Sequence, residues 1–294
     1  MEKKSIRNQN VIERLRYIEW LLMFKGWLSR NELTEKFSIQ EAAATRDIRK
    51  YRDMAEKNLH LNHSVKRYEI NLDTFSPEYD VHIETALSRL RNKQDAIAMG
   101  YEDAGIEAIP RLQHPKINVL AAISRAILNQ RSITINYQSL KNGHSVKEIA
   151  PHSMFDSGIK TYTRCYDFEK EKFIDLALNR IGDIEAENNK VPDNALREED
   201  NEWNTFITLE LEAHPMDKKI ANKKTIENDY EMIDGIKKIQ VRTALAQYWL
   251  QRWNVDCSKD SHMDDSLYQL HLRNSEILDN INGFFPGKIT KNKK

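Results

Sequence analysis

Apolar residues recur at Val11, Leu15, Ile18 and Leu22, the three-to-four step of an amphipathic helix over residues 10–26, which Gly26 interrupts. Ser29-Arg30-Asn31-Glu32 then has the Ser-x-x-Glu form of a capping box and opens a short helix to about Phe37. Ser38-Ile39-Gln40-Glu41 repeats that form and predicts a third helix to about Lys57, with Ile39, Ala44, Ile48 and Tyr51 or Met54 facing inward. Two capped helices across a tight turn, after a longer one, make a helix-turn-helix. Leu61, Val65, Tyr68 and Ile70, alternating with polar residues, predict two short strands over 59–72 with Lys66-Arg67 at their tip, a wing.

Beyond the wing the pattern changes twice. Residues 73–116 read as a helical connector, with a helix over 79–91 and boundaries at Pro110 and Pro115. A further amphipathic helix over 117–130 leads into strict alternation at 132–139, with Ile133, Ile135 and Tyr137 on one face. Strands follow at 146–155, 160–166 and 172–184, and short strands spaced this closely predict a small, strongly curved sheet or barrel. The polar, acidic stretch 188–201 reads as a linker. After it come a strand at 205–211, a helix at 216–228, a strand at 236–243, a helix at 244–253 and a strand at 267–272. The tail from 288 is basic. The fold class expected is α+β, in four parts: a winged helix-turn-helix (1–72), the connector (73–116), a central small β-barrel (117–190) and a C-terminal α+β domain (200–287).

Composition narrows the function. The 294 residues suit two or three domains, and 45 Lys and Arg against 45 Asp and Glu give zero formal charge. Residues 1–70 nevertheless carry a surplus of five positive charges, balanced by the remainder, as expected where one domain touches a polyanion. No apolar run is long enough for a membrane span, residues 1–7 do not read as a secretory signal, and Cys165 and Cys257 alone build neither a disulfide framework nor a four-Cys zinc site. A cytoplasmic protein without cofactor or metal is the expectation.

The third helix carries Gln40, Thr45, Arg46, Arg49 and Lys50 on its polar side. Gln and Arg read base edges bidentately, whereas Lys and Thr more often hold phosphates. Together with Ser29 at the preceding helix start and Lys66 and Arg67 on the wing, they form the candidate DNA-binding set. The plain alternative is a solvated face laced by ion pairs, for example Asp47 with Arg46 or Lys50. In the central strands Tyr137, Ser139, His152, Tyr162, Arg164 and Arg180 form a donor-rich set suited to a phosphate or nucleotide, although spacing alone favours an ordinary wet sheet face. His60 and His63 have no further metal ligand at suitable spacing, and Asp229, Asp264 and Asp265 have no accompanying motif. Phosphate-loop, dinucleotide and nucleophile-elbow motifs are absent, and an enzyme is the weakest reading.

One ordered set of segments resembles the WYL-domain transcriptional regulators: residues 135–139 (INYQS), 149–153 (IAPHS), 158–167 (GIKTYTRCYD) and 173–181 (FIDLALNRI). The triplet that names the domain stands here as Thr161-Tyr162-Thr163, so only its middle residue is kept. With Glu202-Trp203, Ala213-His214-Pro215 and residues 228–232 in the C-terminal part, the whole chain is similar to the phage-defence-associated regulators of the BrxR/CapW type. That resemblance implies an N-terminal winged helix, a WYL domain with an Sm-like barrel, and a C-terminal extension. It also implies a homodimeric repressor on a near-palindromic operator in double-stranded DNA, derepressed by a nucleotide or oligonucleotide effector at Tyr137, Ser139, His152, Tyr162, Arg164 and Arg180. The alternative is a constitutive nucleic-acid-binding protein that senses nothing.

Overall fold

The computed structural model describes residues 2–288 apart from 217 and 219, with side chains throughout except those of residues 2–8 and 185–188. From residue 289 the basic tail lies outside the described residues. The chain divides into two compact units, Met1–Pro110 and Arg111–Lys294.

In the first unit α1 (Glu2–Lys25) places Leu15, Ile18 and Leu22 in the core, as their spacing requires, and ends at Gly26, whose φ of +83° a side chain would resist. A short strand β1 (Trp27–Leu28) leads to α2 (Arg30–Phe37). The capping box at Ser29 is complete: its hydroxyl accepts from the Asn31 amide, and its own amide donates to Glu32 at 2.8 Å. The second box does not form. Ser38 ends α2 in the left-handed region (φ 50°), so it is not placed to cap the next helix; α3 (Glu41–Met54) starts from Gln40, which makes no side-chain cap bond. The third helix is therefore shorter at both ends than its sequence pattern predicts.

Strands β2 (Leu59–Asn62) and β3 (Arg67–Ile70) pair antiparallel, and β1 joins the far edge of β3, so the wing is a three-stranded sheet. Glu19 of α1 is buried and fixes α3 from inside, accepting from the Tyr51 hydroxyl at 2.8 Å. The same carboxylate accepts from the amides of Glu78 and Tyr79, which pins that stretch to α1. Helix α4 (Ile83–Arg91) begins only beyond it, later than the pattern predicts, and α5 (Lys93–Met99) comes next.

In the second unit α6 (Ile117–Leu128) packs Val119, Ile123 and Ala126 against Ile133, Ile135 and Ile149 of the central sheet. That sheet has the order β7-β6-β5-β4-β8, from β4 (Arg131–Ser139), β5 (Gly143–Asp156), β6 (Thr161–Asp167), β7 (Lys172–Ala177) and β8 (Ile181–Lys190), all neighbours antiparallel. Register shifts between β4 and β8 and at Pro151/Ser153 curl it, since each extra residue adds local twist. The strand expected over 172–184 is broken by a 3-10 turn at Leu178–Arg180, which joins the two edge strands. The stretch expected to be a linker is folded: 3-10 turns at Asp193–Ala195 and Arg197–Glu199 lead to α7 (Asn201–Asn204), burying Ala195, Asp200 and Trp203. The C-terminal sheet, of order β10-β9-β12-β11, uses β9 (Phe206–Ala213), β10 (Ile236–Arg242), β11 (Val255–Asp256) and β12 (Leu270–Leu272), with α8 (Lys223–Asp229) and α9 (Ala246–Arg252). Of the helix expected over 216–228, the described residues form helix only from Lys223; residues 217 and 219 lie outside them.

Candidate nucleic-acid interface and central polar cluster

Helix α3 has two sides. Ala44, Asp47, Ile48 and Tyr51 are buried, while Thr45, Arg46, Arg49 and Lys50 are exposed on the opposite arc, as a 3.6-residue repeat demands. Two of the acids of this helix are engaged elsewhere, and Asp53 lies exposed near its end. Asp47 turns inward and takes the Arg14 guanidinium of α1 at 2.6 Å, and Glu41 pairs with Arg30 at 3.3 Å. Among the described residues Arg46, Arg49 and Lys50 pair with no acid. An uncompensated row of cations on a rigid helix suits phosphate and base-edge contact. Gln40 is exposed at the start of the helix with its side chain uncapped, and the Thr45 hydroxyl donates back to the Glu41 carbonyl at 2.9 Å, leaving it acceptor capacity only. Arg52, three residues beyond Arg49, is exposed too; its signal was that helical step, and sequence reasoning missed it.

The flanking residues are less free. The Ser29 hydroxyl is engaged in its cap and with Glu32 at 2.7 Å. Arg67 donates to Glu69 at 2.8 Å and lies 4.7 Å over the Trp27 ring, so the wing holds it on its own sheet. Lys66 is exposed at the wing tip in the left-handed region.

The six central residues fall into separate groups. Arg164 is 4 % exposed and Asp200 1 %; they form a two-pronged pair, Nε to Oδ2 at 2.7 Å and Nη2 to Oδ1 at 3.0 Å. Arg164 also donates to Glu202 at 2.8 Å and to Asp175 at 3.3 Å. His152 Nε2 lies 3.1 Å from Asp200; because an ionised carboxylate only accepts, that nitrogen carries a proton, and Ser153 Oγ lies 3.0 Å from Nδ1. Tyr248 of α9 donates to Asp175 at 3.1 Å. His152 and Arg164 thus join the central sheet to the segment leading into the C-terminal domain. Asp175, Asp200, Glu202 and Tyr248 were missed by sequence reasoning, since nothing local marks the three acids as partners of an arginine up to 38 positions away, or Tyr248 as the partner of an acid 73 positions away.

Burial alone would raise the Asp200 carboxyl, but bonds from His152 and Arg164 and the Arg164 charge hold it well below the usual carboxylate range. Burial wins at Asp175, whose carboxyl is raised despite Arg164 and Tyr248. Their pH effects therefore have opposite signs. The Asp200 contribution is full above the unfolded carboxylate value, about 4, and is lost as pH falls toward its lower folded value. Asp175 costs stability as pH rises through its raised value, and acid relieves that cost. Melting temperature followed from neutral to acid pH is expected to fall less steeply in Asp200→Asn and more steeply in Asp175→Asn than in the parent. Parallel profiles would show that these carboxyls do not set the acid limb.

The second group is Tyr137, Tyr162 and Arg180. Tyr137 is buried at the sheet core, Tyr162 stacks on Phe155 at 5.1 Å with Tyr248 across both, and Arg180 sits in the 3-10 break. Burial pushes the Tyr162 phenol up, and the Arg180 charge opposes that shift. Among the described residues Arg180 pairs with no acid. Ser139 stands apart: its hydroxyl caps the turn after β4, accepting from the amides of Lys141 and Asn142 at 3.2 and 3.3 Å. Among the described residues no cluster of potential metal ligands occurs, and no helix is long and apolar enough to cross a membrane.

Comparison with known proteins places three domain families along the chain. Residues 10–90 match the BrxR transcriptional regulator winged helix-turn-helix domain, residues 118–186 the WYL domain, and residues 206–278 the BrxR transcriptional regulator C-terminal dimerization domain. A protein of Escherichia coli (strain KTE188) described as DNA-binding transcriptional repressor CapW is 30% identical over 274 residues, covering 90% of this chain and 89% of its own. Proteins of the same description from Pseudomonas aeruginosa and Stenotrophomonas maltophilia are 26% and 24% identical, covering 91% and 83% of this chain and 90% and 83% of theirs.

Proposed function

Because the chain belongs to the BrxR/CapW family of WYL-domain DNA-binding transcriptional repressors, we propose that it is itself such a repressor, bound as a homodimer to a near-palindromic operator, of a phage-defence operon. The observation that carries this reading is the unpaired cationic arc of α3, set on a helix whose other side is locked into the core. Gln40, Arg46 and Arg49 are assigned to base edges and Thr45, Lys50 and Lys66 to phosphates, with Ser29 and Arg67 at the margin. The match to a dimerization domain in the C-terminal part supports a pair of chains, and a two-fold pair presents the same helix twice, at half-sites about 34–36 Å apart. Operator affinity should fall with salt, each neutralised phosphate contributing roughly −0.9 to the log–log slope.

Derepression belongs to the same proposal. An anionic effector, a nucleotide or short oligonucleotide, loosens DNA only by preferring a conformer whose reading helices are wrongly spaced. Arg180, in the 3-10 turn between β7 and β8 and without an acid partner among the described residues, is the side chain ready to receive it; Arg164 and His152 would take part only by exchanging Asp200 for the effector. Arg180→Gln is expected to bind operator as tightly as the parent and to lose its release by a short single-stranded oligonucleotide, measured by fluorescence anisotropy of labelled operator. Release that persists in Arg180→Gln contradicts this effector site. The closure of Arg164 by Asp200 favours a second reading, a nucleic-acid-binding repressor without ligand input, in which no oligonucleotide or nucleotide releases the parent protein either.

A further inference from the structure

Away from these surfaces, the first unit contains a cavity of about 430 Å³ lined from α1, the end of α2, α4 and α5. Glu13, Arg16, Tyr17 and Trp20 share one face of α1 because they follow its i, i+3, i+4, i+7 steps. Lys36 and Phe37 come from the last turn of α2, Arg89 from α4 and Asp95 from α5. None of these residues belongs to the reading face of α3 or to the central cluster.

The lining has an aromatic part and a charged part. Tyr17 and Trp20 are buried, and Tyr17 meets Phe37 edge-on at 5.5 Å. Lys36 is tied to Asp95 at 2.7 Å. Arg16 and Arg89 pair with no acid among the described residues; their guanidiniums lie over the rings of Tyr79 and Trp20, at 5.5 and 5.0 Å. A guanidinium laid over a ring keeps its edge donors available to fork an anion. The Tyr17 hydroxyl is buried without a hydrogen-bond partner, a state that folded proteins seldom leave unrelieved. A concave volume of several hundred cubic ångströms in which three aromatic side chains meet convergent charged groups is of a size to take a small molecule.

We propose that this cavity binds a small aromatic anion: a planar ring carrying one phosphate or carboxylate, its ring on the aromatic wall and its anionic group between Arg16 and Arg89. Charge sets the class. Two unpaired guanidiniums against Glu13, which has no cation partner among the described residues, leave a rim of about +1, which balances one carboxylate and offsets most of the roughly −1.5 to −2 of one phosphate group. A triphosphate or a nucleic-acid strand brings more negative charge than that rim offsets. Phe37 is followed directly by Ser38, whose left-handed turn sets the entry to α3, so an occupant against Phe37 bears on the segment that aims the reading helix. The winged-helix unit thereby gains an input of its own, independent of the effector site proposed in the central domain.

The test uses the full-length protein, calorimetry and thermal melting, with adenosine monophosphate and salicylate as probes and adenosine and inorganic phosphate as controls. A ligand that binds the folded state raises the melting temperature. Binding of adenosine monophosphate or salicylate is expected, with both controls about tenfold or more weaker, and the tighter of the two probes distinguishes a phosphate from a carboxylate ligand. Measured in Arg180→Gln, which lacks the effector site proposed in the central domain, the better probe still binds; adding Arg16→Gln/Arg89→Gln (the double variant) should weaken it about tenfold or more, and adding Glu13→Gln should tighten it several-fold, a gain that misfolding cannot produce. The proposal is overturned if neither probe binds, if binding survives the double variant, if Glu13→Gln does not tighten it, or if Arg180→Gln abolishes it.

Discussion

Replacing Arg46 and Arg49 together by alanine is expected to remove specific operator binding while leaving the fold and its melting temperature unchanged. Both side chains are exposed and make no described ion pair, so truncation takes nothing from the core, and surface changes of this kind usually stay within about 0.5 kcal/mol. On DNA the loss should be large. A good bidentate base contact is worth about 1–3 kcal/mol, so two removed from each chain weaken the complex by roughly 30-fold to 10⁴-fold per half-site. Lys50→Ala should behave differently, weakening operator and unrelated duplex alike and lowering the salt slope by about 1. Anisotropy titrations on operator and scrambled duplex at fixed salt separate the two patterns. Normal operator binding by the double variant would remove α3 from the interface.

Arg164→Ala is expected to be the most destabilising single change in the central domain. It strands Asp200 and Asp175 below the surface without the cation that both face, and Glu202 loses its partner at the edge. Breaking a buried pair from one side costs about 3–5 kcal/mol, which for a unit of this size is roughly 6–20 °C in melting temperature. Removing both charges should cost less than the two single changes added together, because Arg164→Ala/Asp200→Ala no longer leaves the Asp200 carboxylate alone. An Arg164→Ala protein that melts with the parent would mean that the pair does not exist in solution. The same reasoning makes Arg164 a poor probe of effector binding, since its loss disturbs the junction with the C-terminal domain; Arg180 tests that question without removing a buried ion.

What could be read in advance depended on how far each determinant reaches along the chain. The complete box at Ser29 and Glu32 is a four-residue device, and helix and cap appear where the sequence places them. The second box failed for an equally local reason: Ser38 is occupied in closing α2, and the three-residue turn Ser38-Ile39-Gln40 leaves no second serine to open α3. The alternation at 132–139 marked β4 correctly because one face of that strand is buried throughout. Distance in sequence hid the rest. Residues 188–201 are polar and acidic, the signature of a linker, yet Asp200 is buried because an arginine 36 positions earlier needs a counter-ion. Asp47, read as a possible partner of Arg46 or Lys50, instead turns toward Arg14, 33 positions earlier, and so leaves both of those cations without it. The donor-rich set of the central strands was correctly seen as rich in donors; which of those donors are already engaged was settled by acids elsewhere in the chain.

The most direct measurement is a titration of the purified protein against two duplexes of equal length and composition at one salt concentration. One carries an inverted repeat from the DNA upstream of this protein's own reading frame, and the other carries the same bases scrambled. Binding to the repeat at least about 10³-fold tighter, with two chains per duplex, is the expected result. Equal affinity for the two duplexes, or a single chain bound to the repeat, would contradict it.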